Sequence, residues 1–348
     1  MTTEVGKTAL ITGATSGIGK ELATLFAKDG YNLILVARQE DKLQEVAEQF
    51  RQQYGTSNIT VVESDLSKSE SPQQVYDEVK RQGLTVNVLV NNAGIGEHGK
   101  FATETDLQKE LGIIQLNIAS VVQLTKLFTK EMVERNEGKI LMLGSIASVL
   151  PNPLMAVYGA TKSFIYSFSE ALRNELKDTN VTVTVLMPGA TDTDFFNKAG
   201  AMNTKAQEQA RSTNPADVAK TGYEALMAGK DKVVHGLMNK VQVAGGYVLP
   251  DQVVTSNVRK LMEDKDSPQK QEDEKTSALA LGIGIASVVV AGIVIASMYR
   301  NASPYDRLRY RYKAKKALGS IKNVAASVGD SVNGAYHNAK ADVEQALA

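Results

Sequence analysis

Seven short runs of continuously apolar or β-branched residues recur along the first 240 positions, at 8–11, 33–36, 59–62, 86–90, 139–143, 182–186 and 232–234. None alternates polar with apolar, which is the pattern of strands covered on both faces. Helix-period stretches lie between them. One runs over 19–28, with Leu22, Leu25 and Phe26 on one side and Gly30 as a stop. The alternation predicts an α/β fold with a parallel sheet, doubly wound with helices on both faces. Crossovers in such a sheet are right-handed, which gathers ligands at the carboxyl ends of the strands. No internal repeat of solenoid period interrupts the pattern.

The pattern changes after position 262. Residues 263–275 are polar, dense in charge and contain Pro268, which reads as a linker after a compact unit over 1–262. Residues 276–299 then form a run of 24 positions without a charge. A bilayer core needs about 20 apolar residues in a helix, so the run is long enough to span or attach to a membrane. Gly282 with Ala286 and Gly292 with Ala296 give small-xxx-small spacing, and Tyr299-Arg300 suits an interface. The competing reading is a hydrophobic helix buried in a soluble assembly. The tail over 300–348 starts basic, with Arg300, Arg307, Arg309, Arg311, Lys313, Lys315 and Lys316. The positive-inside tendency holds such a tail in the cytosol, which conflicts with a single span below a cytosolic N-terminal unit. A re-entrant hairpin around Gly292, an exported tail or peripheral attachment would each resolve the conflict. Leu318, Ile321, Val324, Val328 and Val332 fall at helical spacing and describe a weak amphipathic helix.

Charge and composition narrow the chemistry. The 39 Lys and Arg residues balance 39 Asp and Glu, so the basic excess of a nucleic-acid binder is missing. Without cysteine, no disulfide or thiolate nucleophile is available. His98, His235 and His337 are too scattered to read as metal ligands. The short polar stretch 1–7 carries no secretory signal, so the folded unit is expected in the cytoplasm.

The first apolar run feeds directly into Thr12-Gly13-Ala14-Thr15-Ser16-Gly17-Ile18-Gly19 and then into a helical stretch. Three glycines there permit a tight turn, let backbone approach a pyrophosphate and allow close helix–strand packing. The helix N-terminus adds unpaired N–H groups and partial positive charge. A plain glycine-rich turn is the bland alternative; the strand and helix context favours a dinucleotide site of Rossmann type. The second run ends at Arg38, where NAD-selective sites carry an acid for the ribose 2′-hydroxyl. An arginine can pair with a 2′-phosphate, which favours NADP(H) over NAD(H); the alternative is a solvated surface arginine.

Tyr158 and Lys162 stand four apart, on one face of a predicted helix. An ammonium beside a phenol lowers its pKa from near 10 and makes it an acid–base group. Ser145 follows the 139–143 run, where its hydroxyl can hold a carbonyl or cap a helix. Taken singly, Tyr158 also reads as a core aromatic and Lys162 as a surface charge. The joint spacing downstream of a dinucleotide turn favours catalysis.

With these residues in order, residues 6 to 250 resemble the short-chain dehydrogenase/reductase family, in particular its NADP(H)-preferring bacterial-type members. The carrying motifs are the 12–19 turn, Asp65-Leu66, Asn91-Asn92-Ala93-Gly94, Asn117, Ser145, Tyr158 with Lys162, and Pro188-Gly189. The run Val233-Val234-His235-Gly236-Leu237-Met238-Asn239-Lys240 resembles one seen in bacterial members. The resemblance implies hydride transfer between NADP(H) and a carbonyl or hydroxyl substrate, such as a ketone, aldehyde or 3-oxoacyl group. It implies Tyr158 as proton donor, Lys162 as the group that lowers its pKa and binds the nicotinamide ribose, Ser145 as holder of the substrate oxygen, and Asn117 as anchor of a proton relay. It places Gly13, Thr15, Ser16, Gly17, Ile18, Gly19, Arg38, Asp65, Leu66, Asn92, Ala93 and Gly94 on the adenosine and phosphate side of the cofactor. Pro188, Gly189 and Thr191 fall at its nicotinamide end. Ser16 departs from relatives with a basic residue at that position, which leaves phosphate selection to Arg38. The segment after Thr193 reads as a substrate lid. Leu154, Met155, Phe195 and Phe196 are candidates for an apolar pocket or for plain core, and His98 and Glu97 near its mouth receive no role. The family further implies a homodimer or homotetramer. The alternative reading is a non-catalytic NADP-binding sensor or scaffold at the membrane.

Overall fold

A computed structural model describes residues 6–248 and 251–265. The described residues fall into two compact units, one of residues up to Asn239 together with Val258–Lys265, the other beginning with Lys240–Asn257. The expected membrane run at 276–299 and the tail at 300–348 lie outside the described residues.

The first unit is built on one sheet of seven parallel strands in the order β3-β2-β1-β4-β5-β6-β7. These are β1 (Thr8–Thr12), β2 (Asn32–Ala37), β3 (Ile59–Glu63), β4 (Val88–Asn91), β5 (Gly138–Leu143), β6 (Val181–Met187) and β7 (Lys232–Val234). The helices are α1 (Gly17–Lys28), α2 (Glu40–Tyr54), α3 (Ser71–Arg81), α4 (Leu107–Ile114), α5 (Ser120–Glu134), α6 (Ala156–Glu175), the short α7 (Phe195–Lys198) and α8 (Lys205–Ala210), α9 (Pro215–Met227), α10 (Leu237–Val248) and α11 (Asp251–Met262). Helices α1, α2 and α9 cover one face, and α5 and α6 the other, with α3 packed on α5. Both faces of the central strands are therefore dry, and β1 is buried at every position. Leu22, Phe26, Leu33, Leu35, Leu43 and Phe50 fill the layer between the sheet and α1–α2.

Local chemistry sets the element ends. Gly55 closes α2 in the left-handed region at φ 67°, donating its N–H to Arg51. Asp106 caps α4 by accepting from the Gln108 and Lys109 amides at 3.0 Å each. Asn214 caps α9, whose first residue is Pro215. The strand expected at 86–90 is Val88–Asn91; just before it Asn87 pairs with Thr8, its amide donating to the Thr8 carbonyl and its side chain accepting from the Thr8 amide, at 2.9 Å each. Leu107–Glu134 forms one continuous helix and, among the described residues, is the helix long and apolar enough to cross a membrane by length and composition. Here its α5 portion packs on the sheet.

The strand order reverses direction between β1 and β4, so the loops after these two strands diverge and leave a crevice at their carboxyl ends.

Candidate active site

Thr12 ends β1 and ties the crevice together. Its hydroxyl accepts from the Asn92 and Ala93 amides at 3.0 Å each and donates to the Val90 carbonyl at 3.2 Å. Asn92 returns the bond, its Nδ2 donating to the Thr12 carbonyl at 2.9 Å and the Gly13 carbonyl at 3.3 Å. The expected ribose-lining residue Asn92 thus spends its amide on fixing the glycine turn.

The turn fits a dinucleotide on its own geometry. Gly13 and Gly17 lie at φ 68° and 54°, a region that a side chain strains. A Cβ on Gly19 would collide with the Gly13 carbonyl and the Asn92 amide, so α1 approaches β1 more closely than any other residue allows. The first turn of α1 carries no acidic residue, and its N-cap Ser16 makes no side-chain cap bond. Its N-terminal amides are left to an anion. Thr15 is half-buried at the turn, Ser16 is exposed and Ile18 is buried beneath it.

Arg38 follows β2 and is exposed. Asp65 follows β3 and accepts from the Ser67 hydroxyl at 2.7 Å and the Ser67 amide at 3.1 Å. Burial pushes the Asp65 carboxyl up, but the Ser67 bonds and the Arg38 and Lys68 charges together hold it below its ordinary value. Leu66 is buried beside it.

Across the crevice, the chain after β5 brings Ser145 beside Tyr158. Ser145 is the N-cap of a 3₁₀ turn over Ile146–Ser148, its Oγ accepting from the Ala147 amide at 3.1 Å, which is the capping reading of its hydroxyl. The same hydroxyl lies near enough to the Tyr158 side chain to draw its pKa down. Lys162, one turn along α6, is buried and donates to the Leu143 carbonyl at 2.7 Å. Asn117 lies in a π-helical turn, Gln115–Ala119, between α4 and α5. Its side chain clasps Ile95, accepting from the amide at 3.1 Å and donating to the carbonyl at 2.9 Å, and donates to the Thr161 hydroxyl at 3.1 Å. A π turn re-aims side chains relative to a regular helix, which is why such turns recur at functional positions. A Cβ on Gly94 would stand 3.3 Å from Asn117 Oδ1 and 3.5 Å from Lys162 Nζ, so glycine keeps their shared space open.

Electrostatics in the free chain differ from expectation. Burial pushes the Tyr158 hydroxyl up to about 12, Ser145 opposing it only in part. Burial also pushes the Lys162 amine down to about 8. The Lys162 ammonium faces the Tyr158 ring, 5.7 Å from its centre.

Pro188 and Gly189 follow β6 in the same site. The Pro188 carbonyl accepts from the Ile146 amide at 2.9 Å and from Ser145 Oγ at 3.5 Å. Thr191 is buried and donates to the Gly189 carbonyl at 3.0 Å. Thr193, unassigned from sequence, rests on the glycine turn: a Cβ on Gly17 would meet its methyl at 2.8 Å.

Beside Tyr158 lies an apolar cluster of Met155, Phe196, Ala199, Ala201 and Met262, flanked by Leu154 and Phe195. Phe195 packs on the Tyr158 ring at 5.0 Å. A Cβ on Gly96 would meet Met155 at 2.6 Å and Phe195 at 3.0 Å, which makes Gly96 part of the wall. Leu154 sits at φ 65°, a strained conformation for a leucine, held by the Gly99 amide donating to its carbonyl at 2.8 Å. His98, given no role from sequence, joins three segments. Its amide donates to the Ala199 carbonyl at 2.8 Å, and its Nε2 pairs with the Met262 carbonyl at 2.6 Å. The first residues of the expected linker are tied in as well: Asp264 bridges Thr204, and Lys265 pairs with Glu208 at 2.8 Å. These contacts join residues far apart in the chain and leave no local signal.

A parallel sheet with a glycine cradle at its reversal point defines a Rossmann-type α/β protein. The chain belongs to the short chain dehydrogenase family, whose model matches residues 7–204. It is 38% identical over 189 residues to the very-long-chain 3-oxoacyl-CoA reductase of Anas platyrhynchos, covering 53% of this chain and 59% of that protein. It is 34% identical over 210 residues to 17-beta-hydroxysteroid dehydrogenase type 3 of Mus musculus, covering 59% of this chain and 67% of the relative. A short-chain dehydrogenase from Sphingobium yanoikuyae in complex with NADPH superposes with a TM-score of 0.61 at 26% identity, covering 77% and 99% of the two chains. One from Burkholderia phymatum in complex with NAD superposes at 0.64 and 25% identity, covering 70% and 93%.

Proposed function

We propose that this chain is an NADP(H)-dependent oxidoreductase that interconverts a carbonyl and a hydroxyl on an apolar substrate. The observation that carries the reading is the buried Lys162 amine, 5.7 Å from the centre of the Tyr158 ring and sharing the space at Gly94 with Asn117. Gly13, Thr15, Ser16, Gly17, Ile18 and Gly19 would hold the pyrophosphate, and Arg38 the 2′-phosphate. Asp65, Leu66, Asn92, Ala93 and Gly94 would surround the adenosine, and Pro188, Gly189 and Thr191 the nicotinamide end. When bound, the reduced cofactor supplies a hydride to the carbonyl carbon.

The protein's own part is to place and protonate the oxygen. Tyr158, held as a phenol by burial, gives its proton to the substrate oxygen while Ser145 donates a hydrogen bond to the same atom. Lys162 supplies positive charge beside the resulting phenolate, and the space it shares with Asn117 beneath Gly94 leads its replacement proton inward. The wall of Met155, Phe195, Phe196 and Met262 carries no charge and favours an apolar carbonyl compound. Both 3-oxoacyl chains and hydroxysteroids, named in the two relatives, have that character.

The test is consumption of NADPH, and separately NADH, against a panel of long-chain 3-oxoacyl thioesters, steroid ketones and aldehydes. The reading expects turnover with at least one apolar carbonyl, faster with NADPH. Tight NADPH binding with no turnover across the panel would support a sensor or scaffold instead.

A further inference from the structure

We propose that Asn239 is a positioning residue for the nicotinamide end of the dinucleotide, acting through the Pro188-Gly189 turn. The inference rests on the reading above that this turn receives the nicotinamide. Asn239 belongs to the 233–240 run noted in the sequence and has no role in the reading above.

The run is anchored on both sides. The His235 amide donates to the Met187 carbonyl at 3.2 Å, and the His235 ring pairs with the Thr221 hydroxyl of α9 at 2.9 Å. Gly236, at φ 82°, then turns the chain into α10. The Asn239 side chain doubles back, its Nδ2 donating to the His235 carbonyl at 2.7 Å. That bond brings the carbamoyl group against Gly189. A Cβ at position 189 would stand 2.5 Å from Asn239 Nδ2 and 2.7 Å from its Cγ, so a larger residue there would push the amide away from His235.

The turn is therefore gripped from two sides. Ile146 and Ser145 hold the Pro188 carbonyl from the catalytic side, and Asn239 backs Gly189 from the other. General core packing does not explain the arrangement. Leu237 and Met238, the apolar neighbours in the same run, are 62% and 68% exposed, while the polar Asn239 is the residue turned inward. An apolar side chain could fill the space but could not bond His235, and the height of the turn beside Ser145 would then be unset.

The experiment compares binding of NADPH with binding of 2′-phospho-ADP-ribose, which lacks the nicotinamide, by titration calorimetry on the full chain. For Asn239→Ala, NADPH affinity is expected to fall about five- to tenfold, the size of one lost hydrogen bond, with fragment affinity unchanged. Equal losses for both ligands would mark a merely structural role, and no loss for either would show that the turn needs no backing; both overturn the proposal. Gly189→Ala alone is expected to weaken NADPH, and Gly189→Ala with Asn239→Ala to recover part of that loss, because the added methyl then has room. Losses that simply multiply overturn the proposal too. A wild-type chain that binds neither ligand would instead sink the functional reading on which the inference stands.

Discussion

The Lys162 ammonium lies 5.7 Å from the centre of the Tyr158 ring and donates to the Leu143 carbonyl. The two groups that share one helix face are thus adjacent, yet the amine bonds backbone rather than the phenolic oxygen. Burial dominates both, pushing the phenol up to about 12 and the amine down to about 8. In the free chain the phenol therefore stays protonated through the neutral range.

Removing the Tyr158 hydroxyl isolates that step. Tyr158→Phe is expected to lower kcat by about two to four orders of magnitude. Ring packing on Phe195 persists, so NADPH affinity and thermal midpoint should stay near wild type. Full turnover in this variant would show that the proton comes from elsewhere.

The pH profile of kcat/KM for carbonyl reduction should report Lys162. Its ammonium form is present below about 8 and is lost as pH rises through that value, while Tyr158 stays protonated until about 12. A plateau that falls above pH 8 is expected from steady-state rates. A rate still rising between pH 8 and 10 would contradict it.

The same burial makes Lys162 a stability liability. Its pKa is lower in the folded chain than in the unfolded one, where it is near 10.5, so between about 8 and 10.5 the unfolded state binds more protons. The penalty is fully present below pH 8 and is relieved as pH climbs through that window. Lys162→Met should therefore melt several degrees higher than wild type at pH 7, have almost no turnover, and lose its thermal advantage near pH 10.5. Calorimetry at the two pH values measures this.

Arg38 and Asp65 face one another electrostatically at the ends of β2 and β3. On the proposed reading, Arg38→Asp removes the partner of a 2′-phosphate and supplies an acceptor for a 2′-hydroxyl. The NADPH-over-NADH ratio of kcat/KM is expected to fall about 10- to 100-fold, the range of a charge-assisted hydrogen bond. An unchanged ratio would return Arg38 to an ordinary surface role.

Gly19→Ala tests the cradle directly. The new methyl has to displace the Gly13 carbonyl or the Asn92 amide. A loss of roughly 1–3 kcal/mol in unfolding free energy is expected, with dinucleotide binding weakened alongside. Urea denaturation and titration on the same preparation read both.

Much of this was legible in the chain because the signals are local. Unbroken apolar runs announced strands dry on both faces, and β5 and β6 lie within a residue of the expected positions at each end. The glycine turn, Arg38, and Tyr158 with Lys162 are sequence neighbours within one turn or helix, so spacing alone fixes their geometry. Where a distant partner intervened, sequence reading slipped. The linker yielded its first residues because Asp264 and Lys265 find Thr204 and Glu208.

Apolar periodicity and motif spacing by themselves determined a doubly wound parallel sheet and a glycine turn at its first strand, since each depends on residues a few positions apart. Folding alone decided that Asn92 would lock the turn, that His98 would clamp the end of α11 beside the apolar wall, and that Asn239 would back Gly189. It also decided the protonation tendencies, because desolvation depends on how many layers of chain close over a group, and one-dimensional spacing does not record that depth.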